Sequence, residues 1–137
     1  MRAAYHELFV HLIWHTWDSQ HLITPTLEPS IYACIAAKCQ QMHTRVIALG
    51  GTPNHVHLLV QTPPTICIAD LIHDIKGASS HLVTHQLLPD ANFKWQGAYA
   101  AFSLSMLEVD RLSTYIRKQK EHHKEKTLQT PWELSDQ

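Results

Sequence analysis

The chain alternates between two hydrophobic periods. Over residues 3–16 the period is two: Leu8, Val10, Leu12 and Trp14 share one face, and Glu7, Phe9, His11, Ile13 and His15 share a more polar one, which predicts a long strand. Residues 17–27, with Asp, Ser, Thr and Pro, read as a loop. From Pro29 the period lengthens to that of a helix, with Ile31, Cys34, Ile35, Lys38 and Met42 along one face and an end near His43 or Thr44. A short strand over residues 45–49 follows, then a glycine-rich turn, Gly50 to Asn54, and a third strand from His55 to about Gln61.

Thr62-Pro63-Pro64-Thr65 interrupts the chain, and Thr65 is the expected cap of a second helix striped by Ile68, Leu71, Ile72 and Ile75 and continuing to Leu82 and Val83. Residues 88–96 read as a loop carrying an exposed-type Lys94-Trp95-Gln96. Residues 97–105 read as a fourth strand, Tyr99, Ala101 and Ser103 opposing Ala100, Phe102 and Leu104. Ser105 and Glu108 match a capping box, so one helix is expected over residues 106–124, with an irregular polar tail over 127–137. The order β-α-β-β-α-β-α predicts an α+β fold: a ferredoxin-like (RRM-like) antiparallel sheet with an added C-terminal helix. Its third strand is central, beside the first. The 137 residues suit one domain, 1–137.

That central strand carries Asn54-His55-Val56-His57-Leu58-Leu59-Val60. Residues two apart in a strand share a face, so His55 and His57 project together while Val56, Leu58 and Val60 face the other way. Two parallel imidazoles are part of a metal site. The alternative is a structural His-x-His, and twelve histidines in the chain make histidine count alone uninformative. Three cysteines, Cys34, Cys39 and Cys67, without a C-x-x-C, argue against a disulfide framework or a zinc finger. No apolar run approaches a membrane span, and Glu7 comes too early for a signal peptide, so a cytoplasmic protein is expected. The net charge of −1 gives no global polyanion signal, but six of the eleven Lys and Arg fall between Arg111 and Lys126.

The last helix adds Tyr115 and Gln119, four residues apart and so on one helix face. If that face meets His55 and His57, the two imidazoles and the Gln119 carbonyl oxygen make a mixed N/O site suited to Mg²⁺ or Mn²⁺ acting on a phosphate, with Tyr115 as nucleophile. Arg117, Lys118 and Lys120 would favour the phenolate. Singly, each residue also has a structural reading: a packing tyrosine, an uninformative glutamine, a solvated basic face.

The stretch Gly51-Thr52-Pro53-Asn54-His55-Val56-His57-Leu58-Leu59-Val60 resembles the His-hydrophobic-His (HUH) motif of single-tyrosine transposases of the insertion-sequence-200/605 type. Ile75-Lys76-Gly77-Ala78-Ser79-Ser80, Trp95 to Ser103 and Tyr115-Ile116-Arg117-Lys118-Gln119 resemble the same family in the same order, over nearly the whole chain. Gln119 to His123 is also reminiscent of relatives associated with repetitive extragenic palindromes. The resemblance implies a DNA transposase that cuts single-stranded DNA with hairpin ends, forms a 5′-phosphotyrosine and rejoins the strands. It also implies a homodimer in which Tyr115 serves either its own or the partner's site. It makes His55, His57 and Gln119 the metal ligands and Tyr115 the catalytic residue. Lys76, Arg117, Lys118 and Lys120 become candidate DNA contacts; Trp95 and Tyr99 are candidate stacking surfaces or core-packing residues, and His122 is a competing ligand.

Two phosphoesterase patterns are excluded: position 59 is Leu where a histidine triad needs a third His, and there is no second His-x-Thr/Ser copy. A non-mobile relative, or a non-catalytic nucleic-acid-binding or regulatory module of the same fold, is the alternative.

Overall fold

The computed structural model describes residues 4–90 and 92–125. Its strands are β1 (Phe9–His15), β2 (Arg45–Thr52), β3 (His55–Gln61) and β4 (Ala100–Leu104). Its helices are α1 (Glu28–Gln41), α2 (Ile68–Leu82), α3 (Met106–Arg117) and α4 (Gln119–Glu125). The sheet order is β2-β3-β1-β4 and every neighbouring pair is antiparallel. This is the ferredoxin-like arrangement, with β3 and β1 in the middle and α3 and α4 added after β4.

Alternation splits the sheet into two faces. Leu12 and Trp14 of β1 and Val56, Leu58 and Val60 of β3 enter a large core with Ile31, Ile35 and Cys39 of α1 and Leu71, Ile72 and Ile75 of α2. Each fully buried Leu or Ile there contributes roughly 1.5–3 kcal/mol. The opposite face carries a smaller cluster, in which Leu112, Tyr115 and Ile116 of α3 pack on Ala48 and Leu59. His55 and His57 lie on this second face, level with Leu59.

Several expectations need correction. β1 begins at Phe9, so the strand is shorter than the alternation predicts. The buried side of α1 runs through Cys39 and leaves Cys34 half-buried, because the helix turns Ile31 and Ile35 squarely inward. The cap of α2 is Cys67, not Thr65. Ser105 stands at the cap of α3, but its side chain makes no capping bond; only the Glu108 amide donates to the Ser105 carbonyl, at 3.0 Å. After α2 the chain widens into a π turn, Val83–Leu87. Trp95 is buried: its indole packs edge-on against Trp14 and its Nε1 donates to Ser79 Oγ at 2.9 Å. The expected tail, 127–137, lies outside the described residues.

The glycines correct the turn. Gly50 and Gly51 lie inside β2, paired with His57 and Val56, and the turn itself is Pro53-Asn54. A bulge between Val46 and Ala48 resets the register so that Ala48, Gly50 and Thr52 lie opposite Leu59, His57 and His55. A methyl group on Gly50 would overlap the carbonyl oxygen of Ile116. The glycine is there for close approach of α3, not for turn geometry.

The last helix is broken. α3 ends at Arg117, Lys118 caps it, and α4 starts at Gln119. Neither proline nor glycine marks the break. Contacts on both sides hold it: Arg117 Nη2 donates to the carbonyl of Ile47, in the bulge, at 3.1 Å. Lys120 Nζ donates to the Gly51 carbonyl at 3.2 Å and pairs with Glu28 at 2.8 Å.

The same substitution is expected to act in opposite directions at two glycines. Gly50→Ala should lower unfolding stability by about 1–3 kcal/mol through overpacking. Gly77→Ala, on α2 with nothing within 4 Å, should raise it by about 0.5–1 kcal/mol. Denaturant midpoints of the two variants check this.

Candidate active site

The site is built where β3 crosses beneath the α3–α4 corner. His55 and His57 are 3% and 0% exposed, Tyr115 4% and Gln119 1%. The ring centroids of His55 and His57 are 5.1 Å apart, and the Tyr115 ring stands edge-on to His57 at 6.3 Å. Tyr115 and Gln119 belong to different helices, but the Lys118 amide still donates to Thr114 and Tyr115 carbonyls, so the chain keeps nearly one turn across the break.

The imidazoles are oriented by neighbours. Asn54 Oδ1 lies 2.7 Å from His55 Nδ1 and 2.8 Å from the Thr52 hydroxyl. An amide oxygen only accepts, so both groups donate to it, Nδ1 of His55 carries the ring proton, and Nε2 keeps its lone pair. His57 Nδ1 lies 2.9 Å from His11 Nε2, the two rings stacked at 5.1 Å. Where Nδ1 of His57 donates to His11, Nε2 is the nitrogen that would be left to ligate. This is the support that metal-binding histidines need from the side chains around them.

A third donor has to be of another kind, since among the described residues no group of three His, Cys, Asp or Glu could hold a metal ion. Gln119 meets that need. Its Oε1 is 3.1 Å from His123 Nε2, while its Nε2 is buried with no hydrogen-bond partner. The carboxamide oxygen is the atom a cation would use, and His123 holds it in place. Two imidazoles and a carboxamide oxygen fit a hard-to-borderline divalent cation such as Mg²⁺ or Mn²⁺.

Other sequence candidates are placed elsewhere. Lys76 is on α2, behind the sheet. Its amine donates to the Gln96 and Ala98 carbonyls at 2.7 and 2.9 Å, and burial holds its pKa below the usual lysine value. Tyr99 is part-exposed, with the Lys76 amine 6.0 Å from its ring centre. Arg117, Lys118 and Lys120 line a cavity of about 300 Å³ with Glu28, Tyr32, Gly50 and Gly51. Arg117 and Lys120 are engaged there with β2 carbonyls, and Lys118 is exposed. His122 stacks on Tyr115 at 4.5 Å, and His123 packs on His55 at 4.7 Å.

Sequence reasoning missed His11 and His15. His15 is the cross-strand partner of His55 and stacks on it at 4.9 Å. Their placement on the polar face of β1 was visible; their meeting with His55 and His57 needed the β1–β3 register.

A family described as IS200-like transposases has a profile that matches residues 4–119. The chain belongs to this family. The ISDra2 transposase TnpA of Deinococcus radiodurans is 26% identical over 129 residues, spanning 90% of this transposase and 91% of that relative. Two solved structures share its fold. One, from Deinococcus radiodurans R1 and described as a transposase, has a TM-score of 0.69 at 23% identity and covers 85% of this chain and 93% of the other. The second, a REP-associated tyrosine transposase bound to a REP hairpin, has a TM-score of 0.67 at 13% identity and covers 93% and 74%. Among the described residues of the transposase, no helix is long and apolar enough to cross a membrane.

His11→Phe keeps a stacked ring but removes the partner of His57 Nδ1. Mn²⁺ affinity, measured by titration calorimetry or by the EPR signal of bound ion, should fall about 10- to 100-fold. Unchanged affinity would show that His11 does not orient a ligand.

Proposed function

We propose that this transposase cuts and rejoins single-stranded DNA through a covalent link to Tyr115. The observation that supports this reading is the meeting, on one sheet face, of a buried phenol with two imidazoles and a buried carboxamide. The phenol oxygen of Tyr115, after losing its proton, attacks the phosphorus of a phosphodiester. The bond from phosphorus to the 3′ oxygen breaks, that oxygen takes up a proton and leaves as a 3′-OH, and the 5′ phosphate remains on the tyrosine. A second 3′-OH attacks this linkage and releases the phenol. One phosphodiester replaces another, so no ATP is consumed.

His55, His57 and Gln119 would hold Mg²⁺ or Mn²⁺, which supplies polarisation of a phosphoryl oxygen and compensates charge developing during transfer. A phenol has a pKa of about 10, so its proton must be lost before attack at neutral pH. Lys118, which is exposed, is the best placed of the basic side chains for a DNA phosphate. A fold relative bound to a REP hairpin supports hairpins as the form in which the DNA ends are presented. This reading places the protein with its DNA in the cytoplasm.

Tyr115 stands beside the histidines of its own chain, which favours attack within one chain. A homodimer with exchanged tyrosines is the competing arrangement. Mixing Tyr115→Phe with His57→Ala protein separates them. If each chain uses its own tyrosine, the mixture forms no adduct; recovered activity would require the exchanged dimer.

The direct test uses hairpin-bearing single strands drawn from the DNA on either side of the gene. Wild type with Mn²⁺ or Mg²⁺ should give a covalent protein–DNA species resolved by denaturing electrophoresis, and Tyr115→Phe none. Absence of the species in wild type would favour a non-cutting DNA-binding relative. Its persistence in Tyr115→Phe would remove Tyr115 as nucleophile.

A further inference from the structure

We infer that Phe102 is a stacking platform for a nucleobase of the single strand next to the cleaved phosphate, an assignment that rests on the DNA-cleavage reading above. By the register of β1 with β4, Phe102 lies opposite His11, and Ala100 and Leu104 lie opposite Ile13 and Phe9. Phe102 therefore projects from the face that carries His55 and His57. Its ring centroid is 6.2 Å from that of His11, which is itself bonded to His57. Yet the ring is 42% exposed.

The exposure has a simple origin. The apolar side of α3 packs on Ala48 of β2 and Leu59 of β3. The strip of the same face above β4 is left open, and Phe102 occupies it. A large ring held in water at a strand centre is unfavourable by itself. Its neighbours on that face of the strand, Ala100 and Leu104, are part-buried, so Phe102 is the one open ring that β4 presents there. It matches one flat, weakly hydrated partner.

An unpaired base is such a partner. Four-stranded sheets of this topology present aromatic side chains on which unpaired bases stack, and such stacking tolerates any base because each has a π face. A phosphate between Tyr115 and His57 would be separated from Phe102 by the His57 and His11 rings, two steps of 5.1 and 6.2 Å between centroids. A base attached beside that phosphate is within reach of the platform. Stacking there would hold the strand across the site without reading its sequence.

The test uses full-length protein carrying Tyr115→Phe, so that bound DNA stays uncut, and an oligothymidylate containing 5-iododeoxyuridine. Irradiation should cross-link the halogenated base to Phe102, located by mass spectrometry. Phe102→Ala and Phe102→Leu should each weaken binding about five- to a hundred-fold, and Phe102→Trp should bind like the parent. All three should keep the parent melting temperature, because the ring is largely outside the core. Parent-like binding by the Ala and Leu variants, equal loss in the Trp variant, or cross-links confined to other residues would overturn the platform. Failure of the wild type to form its Tyr115 adduct would instead overturn the cleavage reading on which it rests. A wild type that forms the adduct while the Phe102 variants form it at the same oligonucleotide concentrations would sink the platform alone.

Discussion

The seating of α3 on the edge of the sheet is the constraint on which the rest of the molecule depends. The Ile116 carbonyl lies over Gly50 where a methyl group would not fit. The bulge in β2 places Ala48 and Gly50, two residues of minimal size, in line beneath the helix. The backbone can then approach closely enough for Tyr115 to stand against His57, and for Gln119 to be buried and bonded to His123, which packs on His55. The bulge carbonyl, which regular pairing would leave over, is taken by Arg117. The irregularity in the strand thus both makes room for the helix and ties it down.

Beneath this lid the imidazoles are held from the side. Asn54 and Thr52, at the tight turn, fix the ring proton of His55. His11, on the neighbouring strand, meets His57. The turn is itself anchored: the Asn54 carbonyl accepts from the Thr16 amide and the Pro53 carbonyl from the Ile23 amide, both at 2.9 Å. Orientation of the candidate ligands is therefore a property of the folded sheet. Rings held by the fold itself limit the reorganisation that binding an ion would demand.

What the sequence made legible follows the strength of its periodicities. β3 reads directly from His55 to Gln61, because Val56, Leu58 and Val60 alternate with the histidines and a turn precedes them. The strand order follows from the succession of elements. That Tyr115 and Gln119 share a face was readable from their spacing, even though one helix became two; that this face meets the histidines was implied by the family resemblance alone. The rest depended on contacts between distant segments. Gly50-Gly51 looks like a turn because the reason for glycine, the Ile116 carbonyl, is sixty-six residues away in the chain. Trp95 looks exposed between Lys94 and Gln96 because its buried partner, Ser79, lies on α2. The break at Lys118 has no local marker, since Ile47, Gly51 and Glu28 hold its two sides.

Ser105 is the only residue between the end of β4 and the start of α3. With no loop between them, the strand sets the rotational phase of the helix, and the chain counts its way from the sheet to Tyr115 in helical turns. Gaining or losing one residue within α3 before Tyr115 would turn the phenol by about 100°, away from His57 and toward solvent or core. In the loop between β1 and α1, the exposed residues 17–21, between the turn-anchoring Thr16 and Ile23, are under no such count, since length there changes neither the register of β3 nor the phase of α3. Among homologous chains, insertions should therefore gather in that loop, while the span from β4 to Tyr115 keeps its length even where its residues drift.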